Sequence, residues 1–443
     1  MKYDAIIIGA GFSGLYQLFY LREKLGLSAK IIEKGNGVGG TWYWNRYPGA
    51  RCDSYSYSYC YLFSKEILDS WDWTEKYPQQ PEIERYLNFV ADKLKLKRDI
   101  VFKSKVNQIK FDEKNQTWET KTHDSKIFKS DFVITAVGCL STANIPEIEG
   151  IKNFSGKTYH TGAWPKNGVD FNNKKVGIIG TGSTGIQAIP VIAKSAKKLT
   201  VFQRTANYSI PAQNFVLTEK FKNEIKQNWN LIVKKMLNSR HGHPWFEENR
   251  SVKLTPKNIR NQIFEDSWIK GGLCFREGFN DVLFDEESNA IMSEFIKEKI
   301  NTIVKNKKKA KILSDIDHPF GTKRPPIDTH YFETYNRINV EIINVKKDPI
   351  IKIVQKGIIT KNNKLDLDII VFATGFDAMT GSLVNLNIFG KNNLSLKELW
   401  AKGPLNYLGI QIPGFPNLFT ITGPGSPSVL SNMPRSIEQH VEW

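Results

Sequence analysis

Tyr3-Asp-Ala-Ile-Ile-Ile8 runs directly into Gly9-Ala-Gly-Phe-Ser-Gly14. The short apolar run reads as a buried strand, Leu15 to Leu25 reads as a helix, and Ala29 to Ile32 reads as a second strand ending at Glu33. A G-x-G-x-x-G pattern alone is weak evidence, but placed between a strand and a helix it is strong. Gly9 serves the tight turn, Gly11 the close approach of backbone to a pyrophosphate, and Gly14 the packing of helix on strand. The phosphate would sit at the helix N-terminus, where unpaired N–H groups and the helix dipole favour negative charge. Glu33, nineteen residues past Gly14, is placed to accept hydrogen bonds from ribose hydroxyls.

The design recurs once. Lys175 to Ile179 reads as a strand, Gly180-Thr-Gly-Ser-Thr-Gly185 as the turn, Ile186 to Lys194 as the helix and Leu199 to Phe202 as the next strand. Gly180, Gly182 and Gly185 repeat the glycine positions, with Ser183 and Thr184 at the helix start. The same nineteen-residue offset from Gly185 lands on Arg204. An acid there suits a free 2′-hydroxyl, whereas an arginine suits a 2′-phosphate through charge-assisted hydrogen bonds. The first site therefore reads as an FAD site and the second as an NADPH site. Two ligand-free structural turns are the bland alternative.

Between these units and the C-terminus the pattern changes. Phe221, Ile225, Trp229, Ile232, Val233 and Met236 recur at helical steps, as do Ile291, Phe295, Ile296, Ile300, Ile303 and Val304. Both stripes are expected to face a core. Strand-like runs return at Val340 to Val345, Ile350 to Val354 and Ile369 to Ala373. The fold class expected is α/β, with two Rossmann-like dinucleotide-binding domains and a helical insertion. Residues 1–141 and 376–443 form the expected FAD domain, 142–208 and 320–375 the NADPH domain, and 209–319 the insertion.

Bulk properties narrow the class. The 443 residues are 40% hydrophobic and 24% charged, ordinary for a folded soluble chain. No apolar run is long enough to span a bilayer, and the first strand begins too early for a cleavable signal, so a cytoplasmic location is expected. The four cysteines form no C-x-x-C pair and no zinc spacing, which argues against a dithiol reductase and against a metal site. A formal charge of +17 permits nucleic-acid binding, but no such motif accompanies it. The densest run, Lys305-Asn-Lys-Lys-Lys-Ala-Lys311, reads as a solvated surface segment, and neither nucleic acid nor membrane is expected as a partner.

Phe154-Ser-Gly-Lys-Thr-Tyr-His-Thr-Gly-Ala-Trp-Pro165 fills every fixed position of F-x-G-x-x-x-H-x-x-x-W-P. This resembles the fingerprint of the Baeyer–Villiger monooxygenases, and the phenylacetone monooxygenase type resembles the chain most. Four further segments are similar to the family's. Gly39-Gly-Thr-Trp-Tyr-Trp-Asn-Arg-Tyr-Pro-Gly-Ala-Arg-Cys-Asp53 resembles its flavin-side loop, with Gly40, Thr41 and Trp42 toward the cofactor. Lys323-Arg-Pro-Pro-Ile-Asp328 resembles the segment carrying its active-site arginine, Ala373-Thr-Gly-Phe-Asp377 its interdomain glycine motif, and Gly423-Pro-Gly-Ser-Pro-Ser-Val-Leu-Ser-Asn-Met433 its pocket-lining loop.

The resemblance implies an FAD- and NADPH-dependent oxidation of a small-molecule ketone by O2 to an ester or lactone, through a flavin peroxide. It implies Arg324 as the catalytic cation and Asp53 as its carboxylate partner. Lys323 would join Arg204 and Thr205 at the NADPH 2′-phosphate. Cys139, Leu430 and Met433 are the implied substrate-pocket residues, with plain core packing as their alternative. His160 and Trp164, on a linker between the nucleotide domains, read as structural or hinge residues rather than proton donors.

The chain departs from the family at two places. It stops at Ile437-Glu-Gln-His-Val-Glu-Trp443, where relatives continue, so either a fragment or a shortened form is expected. His330 stands where relatives usually carry glycine, which strains the backbone if φ is positive there. Two rival functions stay open: a flavin-containing monooxygenase oxidising soft nitrogen or sulfur, and a non-catalytic nucleotide-binding fragment.

Overall fold

The computed structural model describes residues 2–443. Strand Lys2–Ile8 lies inside an eight-stranded mixed sheet, paired in parallel with Ala29–Ile32 on one side and Ile127–Thr135 on the other. Ile127–Thr135 is also the last arm of an antiparallel meander with Val106–Asp112 and Thr117–Thr122. Two strands from late in the chain, Ile388–Phe389 and Leu418–Thr420, join the same sheet in parallel. The helix after the first glycine turn spans Phe12–Phe19 and continues as one π-type turn, Tyr20–Lys24. It thus starts earlier than Leu15, because Gly14 is already helical.

The second sheet is five-stranded and wholly parallel, in the order Val340–Asn344, Lys198–Gln203, Lys175–Ile179, Ile369–Phe372, Lys157–His160. Ile369, Ile370, Val371 and Phe372 are all buried, as a strand covered on both faces requires. The helix Ser183–Ser195 follows the second glycine turn.

The fingerprint segment forms the edge of this second sheet. A Cβ at Gly156 would lie 2.4 Å from the carbonyl oxygen of Asp368, so the neighbouring strand leaves no room for a side chain there. Trp164 is buried, with its ring centroid 5.5 Å from Tyr159 and 6.2 Å from Phe171. His160 Nδ1 accepts a hydrogen bond from the Gly162 N–H at 3.0 Å, and its ring stands edge-on to Phe376. Burial lowers the pKa of this imidazole.

Residues 209–319 supply five α-helices: Glu219–Gln227, Trp229–Asn238, Lys257–Lys270, Glu286–Ile303 and Lys307–Ser314. The last three contribute Phe264, Trp268, Phe295, Ile296, Ile300 and Leu313 to the core against the second sheet. The apolar stripe of the first two also faces a core, but a different one. Of that stripe only Met236 is buried, while Phe221 and Trp229 are half-buried against the core of the first sheet. The apolar face of these two helices covers the other half of the molecule instead of entering its own core. The lysines of the Lys305–Lys311 run are exposed except Lys309, whose Nζ hydrogen-bonds the carbonyl of Val340, and Ala310 beside it is buried. Among the described residues no helix is long and apolar enough to cross a membrane.

Candidate active site

Both glycine turns follow the same local logic. Gly9 and Gly180 have φ of 103° and 110°, in the region where side chains are disfavoured. A Cβ at Gly14 would lie 1.9 Å from the carbonyl oxygen of Gly9, and one at Gly185 would lie 2.3 Å from that of Gly180. The protein's own packing therefore demands those four glycines. The middle glycines differ. Gly11 and Gly182 have φ of −88° and −80°, open to any residue. A Cβ at Gly11 would meet only the backbone of Gly40, its Cα at 3.4 Å and its N at 3.8 Å, and one at Gly182 would meet nothing within 4 Å. No protein atom needs the space they leave, so the cradle suits a ligand backbone or phosphate. Neither helix has a side-chain N-cap, which leaves its first N–H groups free for an anion.

The first turn opens on a cleft of about 670 Å³. Gly9, Gly11, Glu33, Gly40, Thr41 and Trp42 line one part of it, and Cys139, Val429 and Met433 another. Glu33 is buried, its two oxygens accepting hydrogen bonds from the Ala10 N–H at 2.8 Å and the Gly35 N–H at 2.7 Å. Each oxygen keeps a further lone pair for a hydroxyl. Trp42 is fixed by donation from its Nε1 to the Tyr59 hydroxyl at 3.2 Å, and Tyr59 lines the same cleft. These residues fit a flavin dinucleotide: an uncapped helix start, a glycine cradle, a buried ribose-facing acid and a partly apolar far end.

The second turn is open to solvent. Gly182 and Ser183 are exposed, Thr184 is half-buried, and the Thr205 carbonyl accepts a hydrogen bond from the Thr181 hydroxyl at 3.0 Å. Arg204 and Lys323 are both exposed, leaving two cationic side chains free to meet a phosphate.

Asp53 and Arg324, 271 residues apart, meet in a bidentate pair: Arg324 Nε to Asp53 Oδ2 at 2.6 Å and Arg324 Nη2 to Asp53 Oδ1 at 2.9 Å. Arg324 Nη1 also donates to the carbonyl of Val429 at 2.6 Å, which ties the guanidinium to the wall of the cleft. The side chains keep 22% and 29% exposure, so the pair is half-buried and not sealed. Burial alone would raise the Asp53 carboxyl, but the charge and hydrogen bonds of Arg324 outweigh it and hold it below the ordinary range. Burial likewise works against Arg324, and the Asp53 charge reverses that, so the guanidinium stays charged.

One sequence expectation needs adjustment. Leu430 does not line the cleft; it is 68% exposed, and its neighbour Val429 faces the cavity instead. A short 3₁₀ turn, Ser428–Leu430, sets which of these residues faces inward, and composition does not reveal it. His330 has φ of 62°, the left-handed conformation that glycine would adopt without strain. The sequence reading missed His243, which is buried among Trp245, His241 and the Asp53–Arg324 pair. Its imidazole is pushed down to about 3, by burial first and then by the charge of Arg324. It also missed the Val429 carbonyl, a group that every residue type carries.

Residues 2–267 match the family model described as FMO-like, flavin-binding monooxygenase-like. A Baeyer–Villiger monooxygenase of Pseudooceanicola batsensis is 42% identical over 444 residues, covering 100% of this chain and 81% of that protein. Cyclohexanone 1,2-monooxygenase of an Acinetobacter species is 41% identical over 447 residues, again covering 100% and 81%. Phenazine N-monooxygenase of Lysobacter antibioticus is 40% identical over 444 residues with the same coverage. Among solved structures, an oxidised steroid monooxygenase bound to NADP superposes with a TM-score of 0.96 at 46% identity, covering 100% of this chain and 84% of that one. A complex of OTEMO with FAD and NADP gives 0.97 at 39% identity, with coverage of 100% and 84%. The chain belongs to the flavin-binding monooxygenase-like family, and within it to the Baeyer–Villiger monooxygenases.

Proposed function

We propose that the enzyme uses FAD and NADPH to insert one oxygen atom of O2 beside the carbonyl of a small-molecule ketone, giving an ester or lactone. FAD occupies the cleft at Gly9–Gly14, and NADPH binds at Gly180–Gly185 with its 2′-phosphate toward Arg204, Thr205 and Lys323. Residues 1–141 with 376–443, and 142–208 with 320–375, are the corresponding domains. Bound there, the cofactors supply hydride and activated oxygen, and the protein supplies binding, aim and electrostatics.

The observation that carries this reading is the bidentate Asp53–Arg324 pair fastened to Val429 on the cleft wall. Negative charge develops on oxygen during insertion, and a cation already held in place stabilises it without reorganising at the moment of reaction. Asp53 orients the guanidinium fork. Two prolines follow Arg324 and stiffen the backbone that presents it. Cys139 and Met433 supply apolar contact for substrate. Burial raises the Cys139 thiol, so it stays neutral and packs as a small hydrophobe. His160 and Trp164 act structurally, closing the edge of the second sheet.

One observation favours a second reading: the phenazine N-monooxygenase at 40% identity bears a name that specifies oxidation at nitrogen. The test is NADPH consumption in air by the full chain, with mass analysis of products from a cyclic ketone and from an aromatic amine. A product heavier than the ketone by one oxygen supports ester formation. N-oxide from the amine with no ester supports the second reading.

A further inference from the structure

Helix Ser183–Ser195 does more than begin at the second glycine turn. One turn in, Gln187 reaches across to the segment that leads into Asp53. Its Oε1 accepts a hydrogen bond from the Tyr47 hydroxyl at 2.8 Å and a longer one from the Arg51 N–H at 3.4 Å. Its Nε2 donates to the Arg51 carbonyl at 3.1 Å. The main chains also touch. Gly49 has φ of 82°, and a Cβ there would lie 2.3 Å from the carbonyl oxygen of Gln187. Tyr47 and Ala50 are buried within the core of the second sheet, although Cys52, two residues on, belongs to the core of the first. The far end of the same segment is tied down as well, with Arg51 Nη1 3.2 Å from Glu75 Oε2.

The segment 47–51 is thus held by one amide side chain on the helix whose uncapped start faces the second nucleotide site. Two residues further along sits Asp53, the partner of Arg324. We infer that Gln187 is a positioning residue that locks the NADPH-binding helix to the Asp53 segment, so that NADPH docking and the aim of the Asp53–Arg324 pair are coupled. The inference rests on the proposed function above. An amide suits this task because it offers an acceptor and a donor on one planar group, and Gln187 uses both. A charged or apolar residue of similar length loses one or all of these bonds.

The experiment uses the full chain loaded with FAD, comparing wild type with Gln187→Leu, Gln187→Glu and Tyr47→Phe. Anaerobic flavin reduction is followed against NADPH concentration, and ester per NADPH is measured in air with cyclohexanone. Gln187→Leu is expected to retain FAD, to need about tenfold more NADPH, the equivalent of one net hydrogen bond, and to yield less ester per NADPH. Tyr47→Phe, which removes one hydroxyl and leaves the packing, is expected to shift both readings the same way by less. Gln187→Glu is expected to recover as pH is lowered, because a protonated carboxyl regains the donor toward the Arg51 carbonyl. A purely structural role would not produce that pH-dependent rescue. Wild-type NADPH dependence and ester yield in Gln187→Leu overturn the inference. Should that variant fail to hold FAD, an unchanged Tyr47→Phe overturns it. A wild-type chain that makes no ester counts against the functional reading alone, because the anaerobic NADPH titration still decides the coupling.

Discussion

The two glycine turns share one spacing and nearly one backbone geometry, yet they face opposite conditions. The Gly9–Gly14 turn looks into a cleft of about 670 Å³ walled by segments from as far away as Val429 and Met433. At the Gly180–Gly185 turn, Gly182 and Ser183 are exposed, and the cations Arg204 and Lys323 are exposed too. The difference teaches that the nucleotide motif specifies a phosphate cradle and nothing about how long a ligand stays. Residence is set by what the rest of the chain builds over the cradle. A walled site suits a cofactor kept permanently, and an open one suits a cofactor that exchanges with solvent between turnovers.

The sharpest way to break this contrast is to fill each cradle with a side chain. Gly11→Val should yield a colourless protein without FAD. Gly182→Val should stay yellow and lose reduction by NADPH. Neither backbone conformation excludes valine, so both variants are expected to fold. Flavin content by absorbance and anaerobic bleaching by NADPH check the pair. Full flavin in Gly11→Val, or normal bleaching in Gly182→Val, would reject the assignment of that turn.

The next test sharpens the open site. Arg204→Ala should cost roughly 1.5–3 kcal/mol of NADPH binding, the range for a hydrogen bond to a charged group, toward the low end because the side chain is exposed. NADH binding should barely change. Equal losses for both cofactors, measured by titration, would remove Arg204 from the 2′-phosphate.

A third test probes the surroundings of the Asp53–Arg324 pair through pH. His243 is held neutral in the folded chain, its pKa lowered from 6.5 to about 3 by burial and by Arg324. The unfolded state then binds the proton that the folded state refuses, so stability falls as pH drops below about 6.5 toward 3. His243→Asn should flatten that part of the profile of thermal midpoint against pH. An unchanged slope would place the acid sensitivity elsewhere.

The smallest effect is expected at His330, which caps the short helix Tyr331–Thr334 in a left-handed conformation. His330→Gly should relieve about 1–2 kcal/mol of backbone strain and lose roughly 0.5–1 kcal/mol to the entropy of glycine. A net gain between zero and about 1.5 kcal/mol in denaturant unfolding is the expected result.

Much of this architecture was legible in the residues, and the exceptions have physical causes. Strands Ala29–Ile32 and Lys175–Ile179 fall where the apolar runs placed them, because a glycine turn or a polar residue bounds each run. The stripe from Phe221 to Met236 has helical spacing, but spacing cannot say which body it will cover. It lies against the first sheet and stays half-buried. Asp53 and Arg324 were found through the segments around them, whereas their meeting is a product of the tertiary fold. Val429 acts through its carbonyl and Gln187 through a contact between two bodies, and neither leaves a local pattern to read.

The central claim is a division of labour. The two cradles handle hydride transfer, and the pair joining both halves of the chain handles oxygen insertion. Removing one preorganised donor of this kind typically costs about 2.7–4 kcal/mol, or 10²–10³ in rate. The direct test is stopped-flow flavin reduction of Arg324→Ala without oxygen, alongside ester formed per NADPH in air. The account predicts that reduction persists while ester nearly vanishes and NADPH is consumed with release of hydrogen peroxide. Ester at the wild-type rate and yield would contradict it.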